Sequence, residues 1–218
     1  MNSVKIAPSI LSADFARMGE EVATLKECGA DFVHVDVMDG VFVPNITFGI
    51  KMVEDIRKYT DLPLDVHLMI VEPWKYIERF AKAGADYITI HTEACGDRTA
   101  ETLDLIRSCG VKSGVVINPD TDVKEAEKVM DRCDMIVVMG VYPGFGGQKY
   151  IEEVGDKIRT LAEEIRKRKL SSLLEVDGGV TAENAGKIAA CGADVLVAGS
   201  AVFGKEDRKN AVAQLKRN

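Results

Sequence analysis

The sequence predicts an α/β fold: an eight-stranded parallel barrel in which each strand is followed by a helix. Three observations carry this. Eight short, β-branched apolar runs recur along 218 residues, near 5–10, 32–37, 64–69, 86–91, 112–117, 134–139, 172–177 and 194–198. Such nearly continuous apolar runs belong to strands buried on both faces. Helical stripes separate them, and alternation of this kind at this length gives a (β/α)8 barrel. The punctuation also repeats: Gly29-Ala30-Asp31, Gly84-Ala85-Asp86 and Gly192-Ala193-Asp194 each close a helical pattern and open a strand, with glycine suited to the left-handed position past a helix end. An open doubly wound sheet is the rival architecture.

In chain order, the first helical stripe is Phe15, Met18, Val22 and Leu25, with Ser12 as its expected N-cap. Trp74, Ile77 and Phe80 form a shorter stripe. Ile151, Val154, Ile158, Leu161 and Ile165 form the clearest one. No linker, low-complexity tract or charge block divides the chain, so one domain over residues 1–218 is expected. The net charge of −7 argues against a nucleic-acid or anionic membrane surface. No apolar run approaches the roughly 20 residues of a membrane helix, and the opening MNSVKIAPSIL lacks the layout of a signal peptide. Five scattered cysteines, none in a C-x-x-C pair, read as free thiols in a reducing cytoplasm.

In such a barrel, chemistry sits at the C-terminal ends of the strands. There the sequence places Ser9, His34, Asp36, Met38, His67, Met69, His91, Met139 and Asp177. Alternate residues of a strand share a face, so His34 and Asp36 point together, as do His67 and Met69. His34, Asp36, His67 and Asp177 form an imidazole-plus-carboxylate set suited to zinc, iron(II), manganese or cobalt. His91 is expected on the rim, hydrogen-bonded to backbone. Strands two and seven lie three steps apart around a ring of eight, so Asp36 and Asp177 face each other across the mouth. Two such groups can take a proton from one face of a carbon and return one to the other. A carboxylate with a reference pKa of about 4 is a weak base for a hydrogen beside a ketone. Stabilisation of the enediolate by a divalent cation closes that gap. Met38, Met69 and Met139 would wall the developing anion. Glycine-rich turns follow strands six, seven and eight: Gly144, Phe145, Gly146 and Gly147; Gly178 and Gly179; Gly199 and Ser200. Their backbone N–H groups suit a phosphate.

These residues fall within longer motifs: Ala7 to Asp14, His34 to Gly40, Phe42 to Gly49, Asp65 to Met69, Pro143 to Gln148 and Glu175 to Val180. Together, in order and over nearly the whole chain, they resemble the ribulose-phosphate 3-epimerases. The resemblance implies a TIM barrel, one divalent metal ion per subunit with zinc favoured, a homo-oligomer, and interconversion of ribulose 5-phosphate and xylulose 5-phosphate in the pentose phosphate pathway. It implies His34, Asp36, His67 and Asp177 as ligands, Asp36 as proton acceptor and Asp177 as donor. Ser9 and His67 would touch the sugar, and the glycine turns would hold the phosphate. One stretch departs from the pattern. Met139-Gly140-Val141-Tyr142-Pro143 has glycine where the family has serine or threonine, and tyrosine where it has a polar residue. Gly140 would open space, and Tyr142 either turns outward or reshapes the wall. Allulose-6-phosphate 3-epimerase is therefore the alternative activity. Related decarboxylases and aldolases carry an Asp-x-Lys-x-x-Asp array at strand three, and Asp65-Val66-His67-Leu68-Met69 lacks its lysine. A non-catalytic sugar-phosphate-binding barrel is the alternative from a different class.

Overall fold

Eight parallel strands form one sheet in the order β1-β8-β7-β6-β5-β4-β3-β2. They are β1 (Lys5–Pro8), β2 (Val33–Met38), β3 (Leu64–Met69), β4 (Tyr87–His91), β5 (Lys112–Ile117), β6 (Met135–Met139), β7 (Leu173–Asp177) and β8 (Val195–Ala198). Among the described residues there are ten α-helices: α1 (Met18–Ala23), α2 (Ile50–Ile56), α3 (Ile77–Lys82), α4 (Thr92–Cys95), α5 (Thr99–Ser108), α6 (Val123–Glu127), α7 (Val154–Arg168), α8 (Ala185–Ala190), α9 (Ser200–Phe203) and α10 (Arg208–Leu215). The structure is a computed structural model that describes residues 4–217; the opening three residues of the leader reading lie outside them. No helix among the described residues is long and apolar enough to cross a membrane.

β1 and β2 decide between barrel and open sheet, because an open sheet would leave both as edges. Ser9 bridges His34 in parallel, and Asp31 and Phe32 both donate backbone N–H groups to the Ile6 carbonyl. The ring is thus nearly closed. Alternation then sorts side chains into two cores. Val33, Val35 and Val37, with Leu64, Val66 and Leu68, face outward and pack under the helices. Phe32, Tyr87, Val116, Met135, Val137 and Val195 fill the barrel interior.

Two local expectations are corrected. Ser12 does not cap the first helix; it ends a 3-10 turn, Ile10–Ser12. A second 3-10 turn, Phe15–Arg17, precedes α1, and Asp14 caps that turn, its carboxylate accepting from the Ala16 N–H at 3.0 Å; α1 itself has no side-chain cap. The Trp74 stripe is likewise split, with a 3-10 turn at Pro73–Lys75 before α3 starts at Ile77.

The repeated aspartates have a shared task at the N-terminal rim. Asp31, Asp86, Asp134 and Asp194 accept from the N–H groups of Ile6, Leu64, Ser113 and Leu174 at 2.8–3.0 Å. Each also returns its own N–H to the carbonyl of that same residue. The carbonyls of Asp86, Asp134 and Asp194 then accept from Lys112, Leu173 and Lys5, the first residues of the next odd-numbered strands. The corresponding position beside Asp31 is Pro63, which has no N–H to give.

Candidate active site

Register places the predicted residues in tiers. His34 pairs with Asp65, Asp36 with His67 and Met38 with Met69 across β2 and β3. Met139 pairs with Asp177 across β6 and β7. His34 and His67 therefore lie inside their strands and are fully buried, not at the rim. Asp36 is level with His67 and two residues beyond His34, and Asp177 is level with Met139 at the end of β7. The three methionines end their strands and are buried.

The four proposed ligands converge. His34 Nε2 lies 3.3 Å from Asp36 Oδ1 and 3.6 Å from Asp177 Oδ2. His67 Nδ1 lies 3.4 and 3.3 Å from the same two oxygens. A tetrahedral cation with bonds near 2.0–2.2 Å holds its donors about 3.3–3.6 Å apart. His67 Nδ1 is buried without a hydrogen-bond partner, which is expensive unless something occupies the space before it. These four residues form a buried group able to hold a metal ion.

The electrostatics point the same way. Burial pulls the His34 imidazole down, but Asp36, Asp65 and Asp177 outweigh it and hold its pKa well above the ordinary value. Burial opposes the rise at His67 too, and the nearby Asp177 and Asp36 carboxylates override it. Burial raises Asp36, yet His34 and His67 bring it far below the usual carboxylate range. Asp177 is raised by burial and by the Asp36 charge, but the two imidazoles leave it lowered overall. Two buried carboxylates thus demand two positive charges between them. Two imidazolium ions meet that demand, and so does one divalent cation.

Sequence reasoning missed a supporting layer. Asp65 Oδ2 holds His34 Nδ1 at 2.6 Å. Glu175 Oε1 lies 3.7 Å from the same nitrogen, and neither Glu175 oxygen has a hydrogen-bond partner. Burial and the neighbouring Asp65 push Glu175 well above its ordinary pKa. The period-two signal was present, since Asp65 lies two residues before His67 and Glu175 two before Asp177. His91 is also corrected. It is fully buried, with Nε2 2.9 Å from His67 Nε2 and Nδ1 3.1 Å from Glu93 Oε2. Burial lowers its pKa to about 4. Burial opposes ionisation of Glu93, but His91, Thr121 and Asn118 bring that carboxyl down to about 2.

Above the centre opens a cavity. Ser9, Asp36, Met38, Met69, Met139, Asp177 and all eight residues of the three predicted turns, Gly144 to Gly147, Gly178, Gly179, Gly199 and Ser200, line it. Leu11, Ser12, Val141, Pro143, Gln148, Val180, Thr181 and Val197 complete the wall. Ser9 Oγ donates to Asp36 Oδ2 at 2.5 Å. Gln148 Nε2 braces the first glycine turn through the carbonyls of Tyr142 and Phe145. Asn45 Nδ2 reaches from the loop after β2 to the Gly144 carbonyl at 3.1 Å, joining two sides of the mouth.

The departure at Gly140 is also resolved. A Cβ there would stand 2.4 Å from the Gly178 carbonyl oxygen and 2.9 Å from the Tyr150 ring. The space expected beneath Gly140 is filled by those groups. Tyr142 turns outward, 53% exposed, and does not line the cavity.

Fold and centre together define a (β/α)8 barrel with a buried pair of histidines and a pair of carboxylates beneath a glycine-lined mouth. The ribulose-phosphate 3 epimerase family model matches residues 5–203. Ribulose-phosphate 3-epimerase of Bacillus subtilis is 53% identical over 216 residues, covering 98% of each chain. The enzyme of the same name from Synechocystis is 50% identical, covering 99% of this chain and 94% of its own. Among solved structures, KGPDC from Streptococcus mutans superposes with a TM-score of 0.72 at 13% identity, covering 99% of this chain and 96% of that one; this likeness shows the fold alone. The chain belongs to the ribulose-phosphate 3-epimerase family, whose members are isomerases of the epimerase class.

Proposed function

We propose that this protein interconverts D-ribulose 5-phosphate and D-xylulose 5-phosphate by inverting C3 through two-base proton transfer. The observation that carries the reading is the pair Asp36 and Asp177. They rise from β2 and β7 on opposite sides of the cavity floor and converge on the same two imidazoles. Asp36 takes the C3 proton from one face, and its carboxylate is oriented for this by the Ser9 hydroxyl. Asp177 returns a proton to the opposite face. Each exchanges roles in the reverse reaction, so the pair titrates as one coupled unit.

His34, Asp36, His67 and Asp177 would hold the divalent ion, with zinc favoured by two nitrogen and two oxygen donors at tetrahedral spacing. When bound, it supplies positive charge that stabilises the enediolate formed as the C3 proton leaves. Met38, Met69 and Met139 present soft, non-titrating surface there and offer no competing proton. The turns at Gly144 to Gly147, Gly178 and Gly179, and Gly199 and Ser200 give the phosphate backbone N–H groups. The ketohexose-phosphate alternative rested on space at Gly140, and Gly178 and Tyr150 fill that space.

The test is incubation of the metal-loaded protein with ribulose 5-phosphate in deuterated water. Xylulose 5-phosphate carrying deuterium at C3 is expected, and no exchange with any ketose phosphate would refute the reading. Asp177→Asn should abolish turnover while retaining metal, and near-normal turnover would refute the two-base assignment.

A further inference from the structure

Behind His67 runs a line of side chains that the proposed chemistry does not use. His67 Nε2 meets His91 Nε2 at 2.9 Å, and His91 Nδ1 meets Glu93 Oε2 at 3.1 Å. The other carboxylate oxygen, Glu93 Oε1, accepts from the Asn118 backbone N–H at 2.9 Å and from the Thr121 hydroxyl. Both histidines are fully buried, and Phe42 lies against the His91 ring with centroids 4.9 Å apart. No water is needed to complete the line.

With Glu93 ionised and His91 neutral, the donors and acceptors can be ordered in one way. An ionised carboxylate accepts and never donates, so His91 Nδ1 must carry a proton. A neutral His91 then has a bare Nε2, which can only accept. The contact between the two Nε2 atoms needs one donor, so the proton there belongs to His67. A neutral His67 protonated at Nε2 keeps its lone pair on Nδ1. That atom faces Asp36 and Asp177 at 3.4 and 3.3 Å and has no other partner.

We propose that Glu93 is a positioning residue that acts through His91 to hold His67 in the tautomer whose Nδ1 lone pair faces the metal centre. The proposal rests on the ligand set given under the proposed function. His34 is held directly by Asp65, whereas His67 is held at one remove through a second imidazole. Carboxylates behind metal-bound histidines commonly fix ring orientation and tautomer in this way. The peripheral anchor is fixed in turn: Asn118 offers a backbone N–H, which can only donate, so an oxygen must stay at that end of the Glu93 side chain.

Glu93→Gln therefore makes a directional prediction. Its amide oxygen stays with Asn118, and its NH2 faces His91 Nδ1. His91 must then accept at Nδ1 and carry its proton on Nε2, which reverses the order and moves the His67 proton onto Nδ1. With three histidines in the chain, long-range proton–nitrogen-15 spectra can assign each ring nitrogen. In the unsubstituted protein, with and without zinc, His91 should be neutral and protonated at Nδ1. In Glu93→Gln it should be protonated at Nε2, and zinc affinity measured by chelator competition should fall roughly 10- to 100-fold. Wild-type His91 protonated at Nε2, or a Gln variant with unchanged tautomers and zinc affinity, would overturn the proposal. The wild-type spectra need no variant to fold. Protein that binds no zinc but shows His91 protonated at Nδ1 would refute the metal reading while supporting the order of the relay.

Discussion

Gly179 and Gly147 offer a controlled pair for testing how the mouth is built. Both have a left-handed backbone, with φ of +71° and +73°. A Cβ on Gly147 would meet nothing within 4 Å, whereas one on Gly179 would stand 2.4 Å from the Tyr150 nitrogen and 2.6 Å from its Cα. Alanine in the left-handed region costs about 1–2 kcal/mol. About 0.4–1 kcal/mol is recovered because alanine restricts the unfolded chain. Gly147→Ala should therefore destabilise by about 1 kcal/mol. Gly179→Ala carries the same backbone cost and adds an overlap with main-chain atoms that cannot swing aside. Overpacking of this kind costs about 1–3 kcal/mol, here toward the upper end. Urea unfolding of both variants in excess chelator gives the comparison free of metal binding. With a slope of about 2 kcal/mol per molar urea, the Gly179→Ala midpoint should lie about 1 M below that of Gly147→Ala. Coincident midpoints would show that Tyr150 does not press on Gly179, and that the turn after β7 is not seated on the segment leading to α7.

Two further expectations concern the buried centre. His91 has a folded pKa near 4, below its ordinary 6.5, so the unfolded chain takes up its proton first as pH falls. Its contribution is intact above 6.5 and is lost between 6.5 and 4, about 3 kcal/mol in all; the partnered Glu93 carboxyl, lowered to about 2, extends the loss below 4.5. Unfolding midpoints at pH 7, 5.5 and 4 should fall more steeply for the wild type than for His91→Gln, and parallel acid limbs would contradict this. Loading the metal-free protein with zinc at about a hundred times its Kd should add about 2.7 kcal/mol, raising the thermal midpoint by about 5–10 °C. His67→Gln should lose most of that rise, and an undiminished rise would place the ion elsewhere.

The barrel was legible because parallel strands buried on both sides leave an unambiguous run of branched apolar residues, and observed strand ends fall within about two residues of those runs. Helix starts were harder to read. Short 3-10 turns at Phe15–Arg17 and Pro73–Lys75 keep a near-helical spacing of apolar side chains but bond from i to i+3, not i+4, so periodicity alone overextends the helices. The four converging candidate ligands were visible as histidines and aspartates set two residues from another polar or sulfur-bearing side chain on their strands. Their support was not, because the bond from Glu93 to His91 crosses from a strand end to a short helix, and Asn118 and Thr121 join it from 25 and 28 residues away. Gly140 was misread for a related reason. Whether a glycine leaves a hole depends on what presses on it, and Gly178 and Tyr150 are distant in sequence.

The four rim aspartates carry a consequence for where reactivity resides. Asp31, Asp86, Asp134 and Asp194 each have an oxygen engaged by a strand N–H, so the backbone itself solvates their charge. At the opposite end, Asp36 receives one hydroxyl, and inside the barrel Glu175 receives no donor. The ladder thus sorts chemically similar side chains into inert and available populations by the donors it leaves near them. The β8–β1 junction uses the same Asp194 staple as the junctions at Asp86 and Asp134, so closing the lower hoop adds no weaker seam, and the one missing bond lies between β2 and β3 at Pro63. A rigid hoop below lets the upper end hold its carboxylates in tension with one another, a division of labour set by hydrogen-bond supply and not by amino-acid type.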